Sequence, residues 1–391
     1  MKNFNFHQST KIIFGRGRIK ELAEVVLLYG KKALLVTTPA AIPALQQQYD
    51  KIIKILTNKG IEVAHYDGVI PNPTVETITT GAKMAKEFGA QLIIGLGGGS
   101  SMDAAKAISV ETTHSGTSWD YLFYKTPQPD EMKLLPVVVV STTSGTGSQV
   151  TQVAVVTNTA KRDKSALCNN ILFPRICIID PELMLSVPKF VTATTGFDVL
   201  CHAFESTINP GTGAYVDLLA WEAISIVAEY LPKVLADLNN IEFREKMAWA
   251  DTLAGLCIAN AGVTLPHGMG MAIGGMYPNV VHGEALAIVY PAFSRFTWNS
   301  AVPQFAKIAR ILNPELHNLT EGQAAEKSVE EIDKLLKKTG LWINLKEKGM
   351  PESEIDTLAK QCMILPDYKR NPRVATEEEM IELVTQSYEH L

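Results

Sequence analysis

The sequence changes texture at Pro188. Before it, short β-branched runs alternate with amphipathic stretches. "KKALLVTT" (31–38), "QLIIGLGGG" (91–99), "LLPVVVVST" (134–142) and "RICIID" (175–180) read as strands, while "IPALQQQYDKIIKILTNKG" and "TVETITTGAKMAKEFGA" carry a helical period closed by glycine. Such alternation builds βαβ units, and therefore a parallel sheet covered by helices. After Pro188 the strand-like runs vanish. "YVDLLAWEAISIVAEYLPKVLADL", "FREKMAWADTLAGLCIANAG" and "AEKSVEEIDKLLKKTGL" each present one apolar face at helical spacing. The expectation is an α/β domain over residues 1–188 and an all-helical domain over 189–391, and a chain of 391 residues is long enough for both.

Composition excludes several classes of function. Hydrophobic residues are 46 %, charged residues 20 % and the net charge is -5, which suits a folded globular protein and offers no basic surface to a nucleic acid. The run "LLPVVVV" falls far short of the roughly 20 apolar residues of a membrane span, and "MKNFNFHQSTKIIFG" has no apolar leader core. A cytoplasmic protein with neither a membrane nor a nucleic-acid partner is expected. Five scattered cysteines without a CxxC suggest neither a disulfide framework nor a zinc ribbon.

Two glycine-rich turns follow strands. In "IIGLGGGSSMDAAKAIS" a strand runs into Gly97, Gly98 and Gly99, then into a helix read as opening at Ser100 with Asp103 as its capping-box partner. Missing side chains and the free N–H groups of a helix N-terminus suit a pyrophosphate, although a plain tight turn fits these residues equally well. The second turn, "STTSGTGSQ" (141–149), strings hydroxyls and glycines together directly after "VVVV". Two such turns at strand ends favour a nucleotide. Thr38 ends the first clear strand, where dinucleotide-binding sheets often offer a carboxylate to the adenosine ribose, so NADP is admitted beside NAD.

"GFDVLCHAFE" (196–205) reads as the opening of a helix that carries Asp198 and His202 on one face among apolar neighbours. His267 in "TLPHGMG" and His282 in "NVVHGEA" are each followed by glycine in an apolar setting. One carboxylate and three imidazoles suit Fe(II) or Zn(II) with a position left open for a substrate oxygen. Spacing alone leaves hydrogen-bonded core histidines as an equal alternative.

Longer stretches point to a family. "IIDPELMLSVPKFVTATTGFDVLCHAFE" (178–205) and "LPHGMGMAIGG" (265–275) resemble the two signatures of the iron-containing, group III alcohol dehydrogenases. "PNPT" (71–74), "GGGSSMDAAK" (97–106), "TTSGTGSQVT" (142–151) and "NPR" (371–373) follow in the family's order. The resemblance implies a Rossmann-like N-terminal domain, an all-α C-terminal domain in a dehydroquinate synthase-like two-domain fold, an active site in the cleft between them, and at least a homodimer.

It also implies residue roles. Asp198, His202, His267 and His282 become ligands of Fe(II) or Zn(II) and act catalytically through the metal. Thr38, Asn72, Gly97, Gly98, Gly99, Ser100, Asp103, Thr142, Thr143, Thr146 and Lys164 become contacts of NAD or NADP. The implied reaction passes a hydride between nicotinamide C4 and C1 of an alcohol or aldehyde. Loose alignment puts Val153, Ile258, Met271 and Cys362 along the substrate pocket, and their apolar character favours small aliphatic molecules.

The chain departs from the family twice. Met271 stands where many relatives have a histidine thought to relay the proton, and Thr38 stands where NAD-preferring relatives often have Asp. Rival readings are a glycerol dehydrogenase-like polyol dehydrogenase and a non-catalytic nucleotide-binding relative. A dehydroquinate synthase would need Lys and Arg that "CHAFESTINP" lacks.

Overall fold

The computed structural model describes residues 2–126 and 128–390. Its strands are β1 (Lys11–Phe14), β2 (Lys32–Val36), β3 (Glu62–Tyr66), β4 (Leu92–Gly97), β5 (Val137–Ser141), β6 (Val153–Asn158), β7 (Asp163–Cys168) and β8 (Ile176–Ile179). Six of them form one sheet in the order β1-β8-β5-β4-β2-β3, parallel at every pairing, and β6 and β7 make a separate antiparallel hairpin.

The same unit holds α1 (Leu22–Val26), α2 (Pro43–Thr57), α3 (Val75–Phe88) and α4 (Gly99–Thr113). β4 and β5 are buried along their whole length, as a parallel sheet covered on both faces requires, and this is why they read as unbroken apolar runs. Local chemistry sets the helix ends. Thr74 caps α3 by accepting from Thr77 N at 3.2 Å, and Gly89 stops it with φ 70°.

Three sequence expectations need amendment here. β1, β3, β6 and β7 were not among the expected strands, because each shows mixed burial instead of a clean apolar run. α4 is capped by the backbone of Gly98 and begins at Gly99, so Ser100 and Asp103 form no capping box. Asp103 is drawn inward instead, because Ser148 Oγ (2.5 Å) and Val155 N (3.1 Å) donate to its two oxygens.

Strand order fixes where a ligand can sit. β2 pairs with β3 on one side and with β4 on the other, so the chain winds outward in opposite directions from the β2/β4 seam. At such a reversal the C-terminal strand ends diverge and leave a crevice. Thr38 lies just beyond one of these ends and Gly97–Gly99 at the other.

The remaining helices are α5 (Lys189–Ile208), α6 (Ala214–Ala236), α7 (Ile241–Ala261), α8 (Leu265–Met276), α9 (His282–Thr297), α10 (Val302–Leu312), α11 (Glu321–Thr339), α12 (Ile355–Cys362) and α13 (Glu377–Glu389). α5 starts at Lys189, so "GFDVLCHAFE" is its middle and not its opening. Almost every residue from Thr192 to Ile208 is buried, the mark of a helix enclosed on all sides. α5 packs on α6 and α9, and α8 packs on α9. Edge-on ring pairs, Phe197 with Tyr290 at 5.3 Å and Phe204 with Phe305 at 4.9 Å, lock α5 in place.

Two compact units result, residues 8–188 with 238–248, and residues 1–7 with 189–237 and 249–391. The boundaries expected from sequence therefore need two exchanges. His7 N donates to Asn260 Oδ1 (2.6 Å), which holds the first residues in the helical unit. The Arg244 guanidinium donates to the carbonyls of Leu238 and Val187, both at 2.9 Å, and ties the start of α7 to the sheet unit. Among the described residues no single helix is long and apolar enough to cross a membrane.

Candidate functional site

Asp198 and His202 stand one turn apart on α5, His267 lies in the first turn of α8, and His282 opens α9. The helix packing makes them converge. Asp198 Oδ1 is 3.5 Å from His202 Nε2, 3.6 Å from His267 Nε2 and 3.9 Å from His282 Nε2. All four donor atoms lie within 4.8 Å of one another. Ligands bonded at about 2.0–2.2 Å to a shared ion stand at such separations.

Burial makes the case chemically. Asp198 is 2 % exposed, and neither its Oδ1 nor His267 Nε2 has a hydrogen-bond partner. Leaving such groups unsatisfied costs about 1–3 kcal/mol each, and a divalent cation would satisfy both. The donor set, three borderline nitrogens and one carboxylate oxygen, fits such an ion.

Electrostatics agree with that reading. Burial pushes the Asp198 carboxyl up, but the imidazoles of His202, His267 and His282 outweigh it and hold the group down at about 2. Burial pulls His267 down, but the carboxylates of Glu205 and Asp198 overcome it and bring the imidazole up to about 10. Without a metal the charge on the imidazoles balances the two buried carboxylates, and a divalent cation would take over that role by displacing the proton of His267.

Glu205, fully buried on α5, orients His267. Its Oε1 lies 2.7 Å from His267 Nδ1, and its Oε2 accepts from Thr264 N (2.8 Å) and Thr264 Oγ1 (3.2 Å). With Nδ1–H given to Glu205, the Nε2 lone pair faces the cluster. The glycine after His282 also has a reason. A Cβ at Gly283 would stand 2.2 Å from Thr194 O, so only glycine lets the first turn of α9 approach α5. Asp367 packs over Gly268, where an added Cβ would meet its Cβ at 3.3 Å, and withdrawal from water pushes its carboxyl up to about 6.

In the sheet unit the two glycine turns meet. A Cβ at Gly98 would stand 2.9 Å from Thr143 Oγ1, and one at Gly99 would stand 2.7 Å from Thr146 Oγ1. Thr142 N donates to Gly97 O at 2.9 Å. Lys106, fully buried on α4, pins the second turn by donating to the carbonyls of Ser148 (2.8 Å), Thr151 (2.9 Å) and Val153 (2.7 Å). Burial lowers its ammonium to about 8 despite the nearby Asp103. Asn72, held at φ 55°, accepts from Lys164 Nζ at 2.8 Å, and Ser100 sits in the first turn of α4.

The expected pocket residues belong to both units. Val153 opens β6 in the sheet unit, while Ile258, Met271 and Cys362 belong to the helical unit. Met271 follows His267 by one turn on α8 and shares its face. Cys362 is sealed inside α12, where burial pushes its thiol up. Glu205, Lys106 and Asp367 were not foreseen. Glu205 closes the very stretch that drew attention to Asp198, and Lys106 follows Asp103 by three residues, but no local pattern marked Asp367.

Comparison with known proteins converges on one family. Residues 9–181 match the model of the iron-containing alcohol dehydrogenases, and residues 192–388 match that of the Fe-containing alcohol dehydrogenase C-terminal domain. The NAD-dependent methanol dehydrogenase of Bacillus methanolicus is 31 % identical over 97 % of this chain and 98 % of its own. The choline dehydrogenase of Bacillus subtilis is 36 % identical over 97 % and 94 %. Among solved structures, an archaeal halo-thermophilic alcohol dehydrogenase from a Red Sea brine pool superposes with a TM-score of 0.92 at 34 % identity, covering 99 % of this chain and all of that one. The chain belongs to the iron-containing alcohol dehydrogenase family, a family of oxidoreductases.

Proposed function

We propose that this chain is an iron(II)-dependent alcohol dehydrogenase and aldehyde reductase that exchanges a hydride between C4 of NAD or NADP and C1 of a small aliphatic alcohol or aldehyde. The observation that carries the reading is the buried Asp198, His202, His267 and His282 cluster with its orphaned Asp198 Oδ1 and His267 Nε2. A divalent ion held there would supply Lewis-acid polarisation of the substrate oxygen. The family's iron supports Fe(II) over Zn(II).

The chain's own residues prepare that chemistry. Asp198 supplies negative charge, Glu205 fixes the tautomer of His267, and Phe197, Val199 and Leu200 keep the surroundings apolar, which strengthens every charge interaction at the site. Gly98 and Gly99 leave the first N–H groups of α4 open to a pyrophosphate, and the hydroxyls of Thr143 and Thr146 stand beside them. Met271 is a thioether with no proton to exchange, so it cannot relay the hydroxyl proton.

Substrate choice rests on chemistry shared with relatives. Methanol and choline, the substrates named for two of them, are both primary alcohols, and Ile258 and Met271 are apolar. Five free cysteines suit the reducing cytoplasm, which we propose as the location, and family membership supports a homodimer or larger homo-oligomer.

The test compares Fe(II)-loaded and chelator-treated protein with 1-butanol or butyraldehyde and each nucleotide, following nicotinamide absorbance. Metal-dependent turnover is expected. Equal rates with and without metal, or no turnover of any small alcohol or aldehyde, would contradict the proposal. Glycerol outrunning 1-butanol would move the reading to a polyol dehydrogenase.

A further inference from the structure

We infer that Asp67, just beyond β3, is the carboxylate that makes this chain select NAD over NADP. The inference deepens the proposed function and rests on its dinucleotide. A pyrophosphate held by Gly97–Gly99 would sit at the end of β4, and in a doubly wound sheet of this order the adenosine half would reach the neighbouring β2 and β3 ends. At the end of β2 the usual acidic position is Thr38, whose Oγ1 is 3.2 Å from Tyr49 Oη.

The sheet brings a carboxylate to that spot from the next strand. β2 and β3 pair in register, Val36 opposite Tyr66, and the pairing continues past both strands. Thr37 N donates to Tyr66 O at 2.9 Å, and Val69 N donates to Thr37 O at 3.2 Å. Asp67 therefore lies alongside Thr37, next to Thr38. It also shares a face with His65, two residues earlier, whose Nε2 is 2.8 Å from Thr37 Oγ1 and whose ring meets Tyr49 edge-on at 5.6 Å.

The charge of Asp67 is felt across this cluster. Burial raises Tyr49 and Tyr66 and lowers His65, and the charge of Asp67 pushes all three upward, joined at His65 by Asp50. Asp67 itself is solvent-exposed, with its carboxylate free to accept from a ligand. A ribose with free 2′- and 3′-hydroxyls donates to such a carboxylate, while a 2′-phosphate brings about two further negative charges against it. A threonine at position 38 thus does not open the site to NADP, because the acidic function has moved one strand over.

The test is fluorescence titration of the Fe(II)-loaded protein with NADH and NADPH, read beside steady-state kinetics with 1-butanol. Wild type should bind NADH at least about tenfold more tightly than NADPH, and Asp67→Asn should shrink that ratio about tenfold, chiefly by tightening NADPH. Asp67→Ser should behave alike, and unchanged melting temperatures would confirm that both variants fold. Wild-type preference for NADPH, or an unaltered ratio in both variants, would overturn the assignment. No fluorescence change with either nucleotide would overturn the dinucleotide reading and this inference with it.

Discussion

Asp198 is buried with an Oδ1 that lacks a hydrogen-bond partner and faces three imidazole nitrogens at 3.5–3.9 Å, an arrangement that a shared cation would satisfy. The same logic assigns Glu205 a task distinct from ligation. Glu205→Gln keeps the shape of the side chain but weakens its hold on His267 Nδ1–H, so iron affinity should fall about 10- to 100-fold while the fold survives. Iron titration against a competing chelator checks this, and unchanged affinity would reduce Glu205 to a packing residue. At this scale sequence revealed the candidate ligands unevenly. Asp198 and His202 share a helix face and were legible as a pair, while His267 and His282 stood out as histidines followed by glycine in an apolar setting, and the family resemblance joined the four. Glu205 lay in plain sight two turns after Asp198, yet its role depends on the approach of α8, which no local spacing reports.

Elements decide whether those side chains meet. α9 can bring His282 to α5 only because Gly283 has no side chain, and the obstacle to one is the backbone carbonyl of Thr194, which cannot swing away. Gly283→Ala should destabilise the protein by about 1–3 kcal/mol and lower its iron content. Gly322→Ala in α11, where nothing lies within 4 Å of the new Cβ, should instead stabilise it by about 0.5–1 kcal/mol. Thermal melts of both variants distinguish a packing requirement from a general effect of removing glycine. β4 and β5 were readable because burial on both faces forces continuous apolar runs. The β6/β7 hairpin was not, since half-buried strands mix polar and apolar residues, and Lys164, which reaches Asn72 from β7, owes its place to that hairpin.

For the whole molecule, one unit carries two glycine turns at the ends of its sheet and the other gathers four candidate metal ligands from three helices, in a chain of the iron-containing alcohol dehydrogenase family. The switch from alternating strands and helices to helices alone made the two-part architecture visible in the chain, whereas the exchanged segments 1–7 and 238–248 are placed by contacts between residues far apart in sequence, which leave no local pattern. Proton linkage extends the account to the apoprotein. His267, raised to about 10, is protonated through the neutral range and must lose that proton to ligate, so iron binding should release protons and tighten as pH climbs from 6 towards 10. Calorimetry in buffers of different ionisation enthalpy measures the release. The apoprotein itself gains stability from charged His267 below the unfolded value near 6.5 and loses it as pH rises through 10.

The central claim is that Asp198, His202, His267 and His282 hold a catalytic iron, and elemental analysis of anaerobically purified protein beside Asp198→Ala tests it most directly. Wild type should carry about one iron per chain, and the folded variant should carry none and turn over no alcohol. A fully active Asp198→Ala protein that retains its metal would contradict the account.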